Sequence, residues 1–306
     1  MDPLPAAPVP VKAASPETDA AGSGSEGGLP LVTVITPCLE AARTLPETLT
    51  SVARARQILR QAGEDLEHLV IDGGSRDGTQ RLLERHADRH PFCRWQTDIG
   101  GGPYAAMNVG LRLARGHYSH VLNADDLLLD PGAYAAFLLQ ARRREAALLL
   151  ASIGYFRRPD RWLRARWMVP SPPRDPALWH QRLRSGLHYP HPGFLAETAL
   201  YRATGFDERY SLSADYKLMQ TLLLRPELAD RVQICSDPLV AMAEGGATSG
   251  WRAILRGRRQ LAAINRELGI VAPPWRRYWG KLRLRLGPRP APIPLPDCPG
   301  EEGWRR

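Results

Sequence analysis

The chain has 306 residues, a formal net charge of +9 and an apolar fraction of 43%. That length suits one large α/β domain or two modest ones, and the composition is ordinary for a globular protein. Four cysteines, Cys38, Cys93, Cys235 and Cys298, lie far apart without a CxxC pair, which argues against a zinc site and fits a reducing compartment. No apolar stretch approaches the ~18–20 residues needed to cross a bilayer. The N-terminus shows no basic region followed by an apolar run, so a cytoplasmic location is expected.

Residues 1–28, rich in Pro, Ala, Gly and Ser, read as a disordered leader. The run "LVTVIT" then reads as a buried strand, and "ARTLPETLTSVARARQILRQAG" as a helix stopped at Gly63. "EHLVID" and "FCRWQT" read as further strands, with a helix in "SRDGTQRLLERHA" between them. "PYAAMNVGLRLARG" is a helix ending at Gly116, and "YSHVLN" is a fourth strand. Four strand–helix alternations with short connections predict a mostly parallel sheet with helices on its faces. Beyond Leu127 the alternation weakens. "AALLLASIGYF" and "RWLRARWMV" read as strands, a Pro-rich loop follows at 169–176, and "SADYKLMQTLLLR" is a helix. "RVQICS" and "LVAMAE" read as two more strands.

From Trp251 to Pro290 the chain carries eleven Arg or Lys and one acidic residue, Glu267, so the basic character belongs to this stretch. "WRAILRGRRQLAAINRELG" reads as a basic amphipathic helix. In "PWRRYWGKLRLRL" aromatic and aliphatic residues are mixed with cations, a pattern that suits an anionic membrane surface. A cationic helix solvated on the domain surface is the alternative. The expected division is a leader at 1–28, a main domain at 29–250 and a basic extension at 251–306.

In open α/β sheets, ligands bind beyond the carboxyl ends of the strands. Four polar clusters fall at such ends: "TPCLE", "DGGSRDGT", "TDIGGGP" and "NADD". In "IDGGSRDGT", Asp72 at a strand end can accept a hydrogen bond from a nucleobase N–H and suits a uracil imide. The same residues also suit a turn and a helix cap. In "NADD", Asp125 and Asp126 are adjacent like charges that a divalent cation would neutralise. Mg²⁺ or Mn²⁺ prefers oxygen ligands and often takes one or two carboxylates plus substrate phosphates. One Asp can hold the metal while its neighbour accepts ribose hydroxyls. Either Asp can instead cap a following helix.

The pieces "VITPCLEAARTLPETLTSV", "EHLVIDGGSRDGT", "TDIGGGPYAAMNVGLRLARG" and "VLNADDLL" resemble the family-2 inverting glycosyltransferases of the GT-A fold. "HPGFLAETALYRATGFDERYSLSADYKLMQTLLL" and "EGGATS" continue the resemblance to about residue 250. It implies an α/β GT-A-like nucleotide-diphospho-sugar transferase fold, a mostly parallel sheet flanked by helices, to which the charge pattern adds a basic C-terminal helical extension. It places Thr36, Pro37, Glu40, Asp72, Asp98 and Asp125 at the nucleotide sugar, and Asp126 as the likelier metal ligand with Asp125 on the ribose. Asp215 matches the catalytic base, and His191 in "HPGF" lies on the acceptor side. The implied cofactor is Mg²⁺ or Mn²⁺. The implied partners are a nucleotide-diphosphate sugar and a saccharide or lipid-linked acceptor at the inner face of a membrane, in cell-surface polysaccharide or glycolipid synthesis.

Three positions depart from that pattern: Glu40 stands where relatives often carry Asn, Ala105 where many carry Asp, and Gly100 where some carry Asp. They bear on donor-sugar contacts and leave an inactive relative as one rival reading. A nucleic-acid binder acting through the basic tail is a second, although no nucleic-acid motif accompanies the tail and no nucleic acid is expected. A Rossmann oxidoreductase would need GxGxxG after the first strand, where this chain has "TPCLEAA".

Overall fold

The computed structural model describes residues 28–158, 162–173, 175–244 and 251–272. The leader at 1–27, the "GGATS" loop at 245–249 and the segment from residue 273 onward lie outside the described residues.

Strand β1 (Val32–Cys38) is buried along its whole length, as is β2 (Leu66–Asp72). This double-sided burial is what a central parallel strand requires, and it explains the continuous apolar runs. Helix α1 (Leu45–Gln61) connects them and starts with Pro46 in its first turn, where a missing N–H costs nothing. Helix α2 (Thr79–Arg89) leads to β3 (Cys93–Gln96), and α3 (Pro103–Leu113) leads to β4 (Tyr118–Val121). Helix α3 lies very close to the sheet: a Cβ on Gly110 would sit 2.3 Å from Ile35 Cγ2. That approach holds the N-terminus of α3 over the carboxyl ends of the strands.

After β4 come a two-residue strand β5 (Leu127–Leu128) and helix α4 (Pro131–Arg143). The cap of α4 is Asp130, whose side chain accepts a hydrogen bond from the Ala133 amide at 2.9 Å, so neither Asp125 nor Asp126 caps a helix. Strand β6 (Leu148–Phe156) forms an antiparallel pair with β7 (Leu163–Trp167). Helix α5 (Pro176–Arg184) and a 3-10 turn (His191–Gly193) precede β8 (Phe194–Glu197), α6 (Thr198–Thr204) and α7 (Ala214–Leu223). A second 3-10 turn (Pro226–Arg231) opens β9 (Val232–Ala243), and α8 (Trp251–Glu267) follows. The two strands expected at "RVQICS" and "LVAMAE" are one strand. Register shifts against β6 absorb the interruption around Pro238, which cannot donate to a ladder.

One nine-stranded sheet runs β3-β2-β1-β4-β8-β6-β9-β5, with β7 added beside β6. The β3, β2, β1 and β4 section is parallel. Strand β8 joins β4 and β6 antiparallel. At the first of these joints Thr198 Oγ1 bonds to Ser119 Oγ at 2.8 Å and donates to the Gly116 carbonyl at 2.7 Å. The largest apolar cluster lies under α3, α6, α7 and the inner face of α8, including Leu111, Trp179, Phe194, Tyr201, Leu218 and Ile264. Burial of each such side chain contributes roughly 1.5–3 kcal/mol. Helix α8 is therefore packed into the body of the protein.

Candidate active site

The strand ends expected to carry chemistry converge. The Gly73 amide donates to the Cys38 carbonyl at 2.9 Å, and the Glu40 amide to Ser75 Oγ at 2.7 Å. The Arg76 amide returns a bond to Glu40 Oε1 at 2.9 Å, with Glu40 in the left-handed region at φ 51°. The β1 and β2 loops are thus stitched to each other. The β3–α3 loop joins them through the Ile99 amide, which reaches the Asp72 carbonyl at 3.2 Å.

Asp72 is fully buried. Its carboxylate accepts from the Gly74 amide at 3.1 Å, the Ser75 amide at 3.0 Å and hydroxyl, Thr97 Oγ1 at 2.8 Å and Gln80 Nε2 at 3.2 Å. Burial alone would raise its pKa, but the bonds from Ser75, Thr97 and Gln80 outweigh that and hold it below the usual carboxylate range. The carboxylate thus ties its own loop to the start of α2 and to the β3–α3 loop. Thr36 is buried, with Oγ1 2.9 Å from His68 Nε2, and Pro37 is buried beside it. Asp98 is exposed on the β3–α3 loop with φ 61°.

The acidic pair occupies the crossing from β4 to β5. Asp126 is 1% exposed, and both its carboxylate oxygens are engaged: Oδ2 accepts from Asn123 Nδ2 at 2.9 Å and Oδ1 from the Ala243 amide at 2.9 Å. Its carbonyl accepts from Thr48 Oγ1 at 2.6 Å. Burial, then the charge of Asp125, push its pKa up. Asp125 is half-buried, and burial raises its pKa too, against its own backbone amide and Arg158. The Arg158 guanidinium donates to the Asp125 carbonyl at 2.8 Å and pairs with Glu47.

Both carboxylates are raised by burial, and Asp126 also by the charge of Asp125, more than Arg158 offsets, and an all-oxygen donor pair suits a hard cation. Among the described residues no group of three or more His, Cys, Asp or Glu is arranged to hold a metal. The pair therefore fits a site completed by substrate oxygens and water, and Asp125 is the member with a carboxylate to offer. Asp126 is thus held within the turn at both oxygens, while Asp125 is the partly exposed member of the pair.

On the other side, Asp215 lies in the first turn of α7, where the helix dipole favours a carboxylate. Tyr104 Oη, from the first turn of α3, donates to Asp215 Oδ1 at 3.0 Å. The Tyr104 ring stacks on Phe206 at 5.6 Å and 22° between planes. Phe206 is held at both backbone polar groups by Asn108: Nδ2 donates to its carbonyl at 2.9 Å and Oδ1 accepts from its amide at 2.8 Å. His191 meets Phe206 edge-on at 5.8 Å. Burial lowers its pKa, opposed by Asp215, and its Nε2 has no partner among the described residues. Tyr104 and Asn108 were missed as site residues in the sequence, although "YAAMN" drew attention to Ala105 between them. Arg158 and Glu47 were missed too, since nothing in their local patterns points to the acidic turn.

A parallel half-sheet with polar clusters at its carboxyl ends, an acidic turn after β4 and a carboxylate helix opposite define a GT-A-type glycosyltransferase fold. Solved structures share it. S. aureus TarS in complex with UDP-GlcNAc superposes with a TM-score of 0.54 at 17% identity, covering 76% of this chain and 65% of that one. The mannosyltransferase PcManGT from Pyrobaculum calidifontis, in complex with GDP-Man and Mn²⁺, gives 0.53 at 19% identity, covering 88% and 74%. The sequence profile of glycosyl transferase family 2 matches residues 33–209, and the chain belongs to that family. Relatives include the chondroitin synthase of Escherichia coli, 32% identical over 38% of this chain and 16% of its own length. The hyaluronan synthase of Pasteurella multocida is 22% identical over 78% of this chain and 23% of its own length. A PGL/p-HBAD biosynthesis glycosyltransferase of Mycobacterium tuberculosis is 36% identical over 35% of this chain and 40% of its own length. The chain thus spans less than half the length of these curated relatives.

Proposed function

We propose that the protein transfers a sugar from a nucleotide-diphosphate donor, with UDP as the favoured nucleotide, to an acceptor hydroxyl with inversion at the anomeric carbon. The observation that carries this reading is the pairing of two acidic stations at one end of the sheet: Asp125 after β4, and Asp215 held by Tyr104 across the α3 N-terminus. Asp215 takes the proton of the acceptor hydroxyl as the new C–O bond forms, a contribution of typically ~10²–10⁴-fold. Asp125, backed by Asp126, would hold Mg²⁺ or Mn²⁺, which supplies Lewis-acid stabilisation of charge on the leaving diphosphate. Asp72 acts on the nucleotide through the loop it shapes. Thr36, Pro37, Glu40 and Asp98 border the same end of the sheet. One base without a protein nucleophile supports a single displacement.

The UDP preference draws support from the TarS complex with UDP-GlcNAc and from the placement of Asp72 at the end of β2. The names of the relatives support a saccharide or lipid-linked acceptor in cell-surface polysaccharide or glycolipid synthesis. No helix among the described residues is long and apolar enough to cross a membrane. The outward positions of α8 expose Leu255, Arg258, Arg259 and Arg266, which supports peripheral attachment to an anionic membrane face.

The test is calorimetric titration with UDP in the presence and absence of Mn²⁺, followed by transfer assays with UDP-sugars and NMR assignment of the product anomer. Metal-dependent UDP binding and an inverted product are expected. No heat with any metal–nucleotide combination and no transfer would refute the reading.

A further inference from the structure

The family match ends at residue 209, before Asp215, so neither α7 nor α8 lies within it. We infer that α8 is a positioning element for the carboxylate of Asp215, with Gln260 and Asn265 as its positioning residues; this rests on the proposed role of Asp215 as base.

Helix α7 begins without a side-chain cap: Ser213 occupies the N-cap position but makes no capping hydrogen bond. A helix start that lacks a cap leaves backbone donors to be satisfied from elsewhere and its first turn free to fray. Here the restraint comes from α8, on both sides of Asp215. Before it, Gln260 Oε1 accepts from the Leu212 amide at 3.0 Å, and Gln260 Nε2 donates to Ser211 Oγ at 3.1 Å. After it, Tyr216 Oη donates to Asn265 Oδ1 at 2.8 Å, and both residues are buried. Lys217 and Tyr210 both reach Glu267 at the end of α8. Asn265 is fixed in turn, since Nδ2 donates to the Ala272 carbonyl at 3.2 Å and its own carbonyl accepts from the Ile270 amide at 2.8 Å.

The stretch from Tyr210 to Lys217 is therefore gripped at five of its residues by one helix, with Asp215 in the middle. Tyr104 fixes the carboxylate itself from the opposite side. A base must lie within hydrogen-bond reach of the proton it takes, and a misplacement of about 1 Å can cost about a hundredfold. Removing the Gln260 grip leaves the fold intact, because that residue is only half-buried, yet releases the loop that aims Asp215.

The test compares wild type, Asp215→Asn, Gln260→Ala, Gln260→Glu and Asn265→Ala in the full chain. It reads kcat, the KM for the donor, the UDP affinity and amide exchange at Leu212. Gln260→Ala and Asn265→Ala should lower kcat about tenfold to a hundredfold, with donor KM and UDP affinity within about twofold of wild type. Gln260→Glu keeps the acceptor oxygen for the Leu212 amide and should restore kcat to within about threefold of wild type. Leu212 exchange should accelerate in Gln260→Ala alone. Wild-type kcat in Gln260→Ala despite accelerated exchange would overturn the positioning role, as would a loss in both Gln260 variants without rescue. Full activity in Asp215→Asn would instead overturn the base assignment beneath it.

Discussion

Tyr104 and Asp215 stand 111 positions apart in the chain and 3.0 Å apart in the fold. Their bond joins the loop system around Asp72, through the start of α3, to the helix that carries the candidate base. A phenol donating to a carboxylate contributes about 2 kcal/mol when one partner is charged. Tyr104→Phe keeps the stacking on Phe206 but removes that bond. We expect kcat to fall about thirtyfold, with UDP affinity unchanged by calorimetry. An unchanged kcat would show that the bond does not aim Asp215.

Asp125 and Asp126 should separate cleanly. Asp125→Asn is expected to lower UDP affinity in Mn²⁺ by at least the ~10–100-fold that loss of an outer-shell partner of a metal ligand costs, and to leave the melting temperature near wild type. Asp126→Ala strands the Ala243 amide and Asn123 Nδ2, and should destabilise the fold by about 2 kcal/mol in urea unfolding. The opposite pattern would restore Asp126 as the metal-facing residue.

Gly193 closes the 3-10 turn that carries His191. A Cβ there would lie 2.1 Å from the Ala151 carbonyl oxygen on β6, which is backbone and cannot step aside. Gly193→Ala should cost about 3 kcal/mol in denaturant unfolding. A change below about 0.5 kcal/mol would mean that the turn has room the structure does not show.

Three buried histidines weaken the protein toward acid. Burial, with the neighbouring His86 charge, pushes His68 down to about 3. Burial with His90 and Arg89 takes His86 to about 3. Burial takes His120 to about 4, against the Pro192 carbonyl. In the unfolded chain each would bind a proton below about pH 6.5. Between that value and about 4 the unfolded state holds more protons, so stability falls as pH drops, by about 1.4 kcal/mol per unit per histidine. The raised carboxyls of Asp125 and Asp126 oppose this, since in the same range they hold protons that the unfolded chain lacks. Urea midpoints measured from pH 7.5 to 5 should still decline below about 6.5, and His120→Gln should make that decline shallower; an unchanged slope would contradict the burial of this ring.

The alternating half of the fold was legible because β1 and β2 are buried on both faces and so write their identity as unbroken apolar runs. Helix α4 was legible only as a helix following the acidic turn; its cap is Asp130, four positions beyond Asp126, with Pro131 in the first turn. Strand β8 has four residues, and it is a strand because β4 and β6 flank it, which no local pattern records. The same limit applies to the site. Asp72, Asp125, Asp126, Asp215 and His191 could be picked out by motif, but the donors that occupy Asp72 come from positions 74, 75, 80 and 97. Hydrogen-bond saturation is a property of the assembled loops, and it changes what a carboxylate can do without changing its place in the sequence.

The joint between β4 and β8 is only three residue pairs long, yet every route from the parallel strands to the antiparallel ones passes beside it. The loops after β1, β2 and β3 spring from one flank and the turn bearing His191 from the other. The acidic turn belongs to both flanks, because β5 pairs with β9 and Asp126 accepts from the Ala243 amide at the end of that strand. A chimera joined at β4 and β8 would therefore have to inherit β9 and α7 from the same parent as β4 and α3, or lose the Ala243 bond to Asp126 and the Tyr104 bond to Asp215 together.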